Sequence, residues 1–366
     1  MDKVKFAVIG YGKIGTRHVQ HIVNNPHAEL VAVCDSQKDR ADAAAAKYNC
    51  KAVYDIDSLL ELDFDVLNVC TPSGLHAEMS IKALNNGKNV LCEKPMTLNL
   101  EDADKIIEAE NRSGKKFMLV KQNRYNPPVD YLHDAVEHGV LGDIILLHCD
   151  VFWNRNKEYY DQDYWRGTMF MDGGALMTQC SHFLDLMVWI AGPVKSVFAT
   201  MDNLAHPNIE TEDTGFLTLH FENGAIGSLQ YTTAVYEKNM EGTMTLVGTE
   251  GNIKIGGEYL NVLEHWNVHN MEKPVLDKGA PANDYGTYKG SMSNHDKVIE
   301  NVCAVFLQHD NIKTTSIQGR ETIEIMQAAY ISAIEHREVH LPLRGAHYKF
   351  KLNEEPPFSG HKKRNL

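Results

Sequence analysis

Gly10, Gly12 and Gly15 stand in GxGxxG spacing, directly after the short apolar run Lys5–Ile9 and at the head of a helical pattern. The first glycine permits a tight turn and the second lets backbone approach a pyrophosphate. The third allows close helix–strand packing, and the helix N-terminus completes an anion site. Asp35 ends the second apolar run twenty residues after Gly15. Its carboxylate suits a ribose 2′-hydroxyl and repels a 2′-phosphate, so the pattern implies NAD rather than NADP. Lys94, in Glu93-Lys94-Pro95, follows a further apolar run, where its ammonium could enter a cleft at the carboxyl edge of a sheet. A lysine in that position is also commonly just solvated, and the residue alone leaves both readings open. Cys180-Ser181-His182 is contiguous, but contiguity on a helix does not make a nucleophile–base pair. The 18 histidines include no HExxH, so no metal site is expected.

These residues require an alternating frame to position them. Lys5–Ile9, Leu30–Cys34, Val66–Cys70, Asn89–Cys92 and Phe117–Val120 read as buried parallel strands separated by helical stretches. That alternation predicts α/β architecture, an N-terminal Rossmann domain with a doubly wound parallel sheet. After Asn123 the pattern changes. Asn126-Pro127-Pro128 breaks the chain before a helix to about His138, and Ile144–Phe152 reads as a strand. A long apolar helix is expected from about Ala175 to Ile190. Hairpins follow at Asn223-Gly224 and Gly248–Gly251. Helices over about 293–307 and 318–334 close a second, α+β domain with a large, open, mostly antiparallel sheet. The expected division is 1–123 for the NAD-binding domain, 124–343 for a substrate-binding and oligomerisation domain, and 344–366 for a loose polar extension.

The 366 residues are 43% hydrophobic and 23% charged, enough for two cores. A net charge of −13 argues against nucleic acid or an anionic membrane as partner, so positive contacts to an anionic ligand must be local. Seven cysteines without a CxxC point to a reducing cytoplasm. The N-terminal apolar run is too short for a secretory signal. The apolar region 183–200 is broken by Asp185, Gly192, Pro193 and Lys195 and cannot cross a bilayer.

The GxGxxG, Thr71-Pro72 with His76, Glu93-Lys94-Pro95, Asn123-Arg124, and Gly173-Gly174-Ala175 followed by His182-x-x-Asp185 together resemble the glucose–fructose oxidoreductase/inositol dehydrogenase (Gfo/Idh/MocA) family over residues 3–343. The resemblance implies Lys94 and His182 as the catalytic pair. It implies cofactor contacts from Gly10, Gly12, Lys13, Ile14, Gly15, Asp35, Thr71, Pro72, His76, Glu93, Lys94 and Gln122. Lys121–Pro128, Tyr159-Tyr160, Trp165–Thr168 and Gly173–Met177 are most similar, within the family, to UDP-N-acetylglucosaminuronate 3-dehydrogenases of surface-polysaccharide sugar synthesis. A diphosphate and a uronate need cations and amide donors. Lys121, Arg124 and Arg166 would supply the first, and Asn123, Asn126 and Gln179 the second. Tyr125, Tyr160 and Trp165 would offer faces and hydroxyls, with Tyr160 and Trp165 as ordinary core aromatics the alternative. Thr178 stands where many members carry Asp four residues before the histidine, and it would border the substrate with His182. The implied reaction is NAD-dependent oxidation at C3 of a UDP-2-acetamido sugar by a homodimer or homotetramer. The alternatives are UDP-N-acetylglucosamine or another sugar or inositol as substrate, glycoside cleavage through transient C3 oxidation, and a non-catalytic NAD-binding regulator.

Overall fold

The computed structural model describes residues 3–286, 288–352 and 357–358, which form two compact units. The first comprises Met1–Gln122 and Asn294–Glu321. Its chain order is β1 (Val4–Ile9), α1 (Lys13–Asn24), β2 (Ala28–Cys34), α2 (Lys38–Tyr48), β3 (Lys51–Val53), α3 (Ile56–Leu60), β4 (Val66–Val69), α4 (His76–Asn85), β5 (Asn89–Cys92), α5 (Leu100–Ser113) and β6 (Phe117–Leu119). The six strands are parallel in the order β3-β2-β1-β4-β5-β6, the doubly wound arrangement expected. Their near-continuous Val, Ile and Leu runs follow from helices covering both faces of the sheet. The short β3 carries one buried residue, Val53, and its sequence shows no apolar run to announce it.

The second unit comprises Asn123–Ser293 and Thr322–Leu366. It holds α6 (Pro127–Glu137), β7 (Ile144–Phe152), α7 (Lys157–Asp161), α8 (Ala175–Thr178), α9 (Ser181–Ala191), β8 (Val194–Asp202), β9 (Thr214–Phe221), β10 (Ile226–Thr232), β11 (Glu241–Gly248), β12 (Gly251–Gly256), β13 (Val262–Val268), β14 (Ala282–Asp284) and β15 (Lys289–Met292). Then come α10 (His295–Leu307) in the first unit, α11 (Ser316–Glu335) and β16 (Val339–His340). Eight strands form one sheet in the order β13-β12-β11-β7-β10-β9-β8-β16, antiparallel except for the β7–β10 pair. Leu147, Cys149 and Val151 of β7 and Leu217 and Leu219 of β9 alternate inward, and the apolar α9 lies against β7.

Three expectations change. The division at residue 123 is interrupted, because 294–321 returns to the first unit. There α10 buries Val298, Ile299 and Val302, and His295 stacks on His21 and meets the edge of His18 in α1. The long helix over 175–190 is two helices. Gln179 N and Cys180 N both donate to Ala175 O, at 2.9 and 3.1 Å, a widened turn that ends α8 and restarts the helix at Ser181. The polar extension is anchored in its described part: Gln327 Nε2 donates to His347 O (2.6 Å), and Phe358 is buried beside Tyr330. The rest of 344–366 lies outside the described residues. All seven cysteines are free thiols.

Candidate active site

In the first unit, Gly10 has φ +90°, and a Cβ there would lie 2.7 Å from the backbone of Cys70 at the end of β4. A Cβ on Gly15 would come within 1.9 Å of Gly10 O, so α1 can start so close to the turn only with glycine at both positions. Gly12 caps α1 without any side-chain hydrogen bond, and its Cα faces open space. Lys13 and Ile14 follow in the first turn of α1. The first N–H groups of the helix thus face the side on which a pyrophosphate would sit. Asp35 is tied at both oxygens, accepting from Tyr11 N and Gln37 N at 2.8 Å each. These bonds aim the carboxylate while leaving lone pairs for ribose hydroxyls. Thr71 Oγ1, beside Pro72, is buried and makes no hydrogen bond to any described residue. An open glycine turn, an uncapped helix start, an aimed carboxylate and an unsatisfied hydroxyl together fit a dinucleotide. Gly10, Gly12, Gly15, Asp35 and Thr71 would hold it.

Glu93 and His76 do different work from that expected of cofactor contacts. His76 has Nδ1 2.7 Å from Pro95 O and Nε2 2.9 Å from Thr71 O, so it ties together the segments that follow β4 and β5. Burial holds its pKa below the usual imidazole value, and the neutral ring donates to one of the two carbonyls. Glu93 accepts from His18 Nε2 at 2.7 Å and lies 3.6 Å from His295 Nε2. His18 Nδ1 accepts from Asn68 Nδ2 (2.8 Å), which places the His18 proton on Nε2, toward Glu93. Burial alone would raise the Glu93 pKa, but its histidine partners hold it well below the carboxylate range. Glu93 Oε2 also accepts from Lys94 N (3.1 Å), so the network fixes the backbone that carries Lys94. Gln122 and Lys121 are buried near the end of this unit, and Gln122 O accepts from Asn294 Nδ2 (3.3 Å).

In the second unit, Arg124 donates from Nε and Nη2 to both oxygens of Asp185, at 2.9 and 2.8 Å, with both side chains only 2% exposed. Its guanidinium also lies over Trp189. This pair engages Nε and Nη2 of Arg124 and balances its charge within the unit. Asn126 donates to Tyr259 O (3.0 Å) and Leu260 O, holding a turn rather than a ligand. Tyr160 packs on Tyr159 and Ile209, and its hydroxyl lies 3.2 Å from Thr233 Oγ1, which makes it a core aromatic. Tyr125 and Trp165 are half-buried. Arg166 donates to Asp163 (2.9 Å) and stacks over Tyr159 and Trp165. Asn123 Oδ1 is buried without a hydrogen bond to any described residue, so it keeps an acceptor to offer. Thr178 donates from Oγ1 to Gly174 O (2.8 Å), and Gln179 donates to Tyr159 Oη (3.0 Å). His182 is buried in the first turn of α9.

Sequence reasoning passed over Arg155, which is only 1% exposed. It donates from Nε to Gln179 Oε1 (3.1 Å) and from Nη1 to Asn154 O (2.6 Å) and Asn239 Oδ1 (3.2 Å). Glu212 was missed as well. Its Oε1 accepts from Leu176 N (2.8 Å), Tyr330 Oη (3.0 Å) and Tyr231 Oη (3.2 Å), while Oε2 has no hydrogen bond to a described residue. Burial pushes its pKa up to about 8.

Comparison with known proteins places this geometry. Residues 4–121 match the oxidoreductase family model with an NAD-binding Rossmann fold, and residues 129–254 match the GFO/IDH/MocA C-terminal domain. The WlbA dehydrogenase of Bordetella pertussis, solved with NADH and UDP-GlcNAcA, is 33% identical. The match covers 93% of this chain and 100% of that one, with a TM-score of 0.85. This chain belongs to the Gfo/Idh/MocA family. It is an oxidoreductase with an NAD-binding Rossmann domain. The WlbA dehydrogenase of Chromobacterium violaceum, also solved with NADH and UDP-GlcNAcA, is 33% identical over 94% of this chain and 98% of its own, with a TM-score of 0.86. The D-glucoside 3-dehydrogenase of Escherichia coli K12 is 28% identical, covering 75% of this chain and 89% of that protein.

Proposed function

We propose that this Gfo/Idh/MocA protein is an NAD-dependent sugar dehydrogenase that oxidises the C3 hydroxyl of a UDP-2-acetamido-2-deoxy sugar, UDP-GlcNAcA foremost, in the synthesis of a surface-polysaccharide sugar. The observation that carries the reading is the 33% identity, across nearly the whole chain, to two dehydrogenases solved with NADH and UDP-GlcNAcA. NAD supplies the hydride acceptor. In this reading the start of α1 and Asp35 bind and orient the cofactor. Lys94 and His182 divide the remaining chemistry between them, one taking the hydroxyl proton and the other stabilising the developing alkoxide. Thr178 brings a hydroxyl already committed to Gly174 O and no negative charge, so His182 works without the carboxylate many relatives place there. Arg166, Lys121, Asn123 and Gln179 remain as substrate contacts, with Tyr125 and Trp165 beside them. The outward face of the large sheet carries exposed Leu146, Phe198, Phe216 and Ile226, which supports self-association as a dimer or tetramer. No described helix is long and apolar enough to cross a membrane, and we place the enzyme in the cytoplasm.

The test is single-turnover oxidation of UDP-GlcNAcA deuterated at C3. Deuterium in the NADH supports the assignment, and NADH without it moves the chemistry to another carbon. The E. coli relative favours a second reading, an unphosphorylated glucoside as substrate. Oxidation of a simple glucoside with no turnover of any UDP-sugar would select it.

A further inference from the structure

We propose that Arg155 reads the sugar's own carboxylate, so that it decides between a uronate and the matching neutral sugar. This rests on the nucleotide-sugar reading above.

Arg155 sits at an inward position: Leu147, Cys149, Val151, Trp153 and Arg155 alternate into the interior along β7 and just past its end. Its guanidinium lies between aromatic faces, 5.1 Å from the ring centre of Trp153, 5.4 Å from Tyr159 and 5.0 Å from Tyr288. Three hydrogen bonds hold Nε and Nη1, all to uncharged acceptors. Nη2 makes no hydrogen bond to any described residue, and no described carboxylate lies within ion-pair distance of the group. Arg124, equally buried, is neutralised by Asp185. A buried guanidinium cannot discard its charge, and one left without a counter-charge is costly to keep. The arrangement makes sense when a ligand brings the anion. In a chain of net charge −13 such a local cation is what an anionic substrate needs.

Two anions exist on the proposed substrate, the sugar carboxylate and the diphosphate. The acceptor on Arg155 Nε is Gln179, in the widened turn three residues before His182. A residue held by that turn belongs beside the reacting ring, where the carboxylate is, rather than beside the diphosphate. The aromatic walls suit a sugar ring and strengthen the charge they enclose.

The experiment compares binding of UDP-GlcNAcA and UDP-N-acetylglucosamine, by calorimetry in the presence of NAD, for the parent and for Arg155→Met. The parent should prefer the acid by at least about tenfold, the value of one charge-assisted hydrogen bond. In Arg155→Met the loss for the acid should exceed the loss for the neutral sugar by a similar factor. Equal losses for both ligands would give Arg155 to the diphosphate and overturn the proposal, as would a variant that keeps the parent's preference. NAD binding reports whether the variant is folded. If it is not, the parent decides: equal affinity for the two sugars overturns the idea, and Arg155→Lys, which keeps the charge and loses the planar fork, should narrow the preference. A parent that binds neither UDP-sugar defeats the nucleotide-sugar reading instead. The same variants compared on glucuronate and glucose then test Arg155 separately.

Discussion

Glu93 in the first unit and Glu212 in the second are both buried, yet their charges differ because their partners do. Glu93 faces imidazoles, and the His18 Nε2–H bond holds it as a carboxylate. Glu212 meets two phenols and a backbone N–H with no imidazole beside it, and burial drives it toward the neutral acid. Burial alone therefore does not set the state of a carboxyl group; the chemistry of its nearest donors does. The arginines repeat the lesson: Asp185 closes on Arg124, while no carboxylate among the described residues pairs with Arg155.

The strongest way to break the comparison is to remove a partner from a closed pair. Arg124→Ala strands Asp185, and Glu93→Ala takes the acceptor from His18. Each should cost about 3–5 kcal/mol in urea unfolding. An Arg124→Ala protein with parental stability but weakened UDP-sugar binding would restore the anion contact that its sequence suggested.

The two carboxyl groups should also respond oppositely to pH. The Glu212 pKa is raised from 4.5 to about 8, so its contribution is complete below about 4.5 and is lost as pH climbs to 8. His295, lowered to about 4 mainly by burial, and Glu93, held below its ordinary value, contribute above their ordinary pKa values and lose that contribution as pH falls. Glu212→Gln should flatten the alkaline decline, a gain over the parent of about 4 kcal/mol at pH 8.5 relative to pH 5. Parallel stability curves for the two proteins would refute the assignment.

The proposed chemistry rests on Lys94 and His182. Lys94→Ala and His182→Ala should each lower kcat by at least about 10²-fold while NAD still binds. Full activity in either variant removes that residue from the mechanism. The smallest effect is expected at Asp35. Asp35→Ala should erase a preference for NAD over NADP of about tenfold, and equal affinities in the parent would count against the ribose contact.

What the sequence made legible was local. The strand–turn–helix at Gly10–Gly15, the Asp35 strand end and the Asn223-Gly224 hairpin follow from neighbouring residues and appear as expected. What it hid depends on distant contacts. Arg124 looks like a free cation until Asp185, 61 residues away, closes on it. Apolar periodicity runs through Gln179 and Cys180, so nothing in the pattern marks the widened turn. His18 and His295 meet only through tertiary packing. Arg155 did leave a signal, a charge at an inward position of a period-two strand, which was obscured by its neighbours Asn154 and Asn156 in what looks like a polar loop.

The return of 294–321 to the first unit has a consequence for the order in which a ribosome releases the chain. Residues 1–122 emerge first, but α10, which covers α1 and brings His295 to Glu93, is made only after the whole of 123–293. Until then the apolar face that α1 offers to α10 is uncovered, and Glu93 has one imidazole instead of two. The nucleotide-binding unit therefore completes its own packing late, after the chain of the second unit has been synthesised.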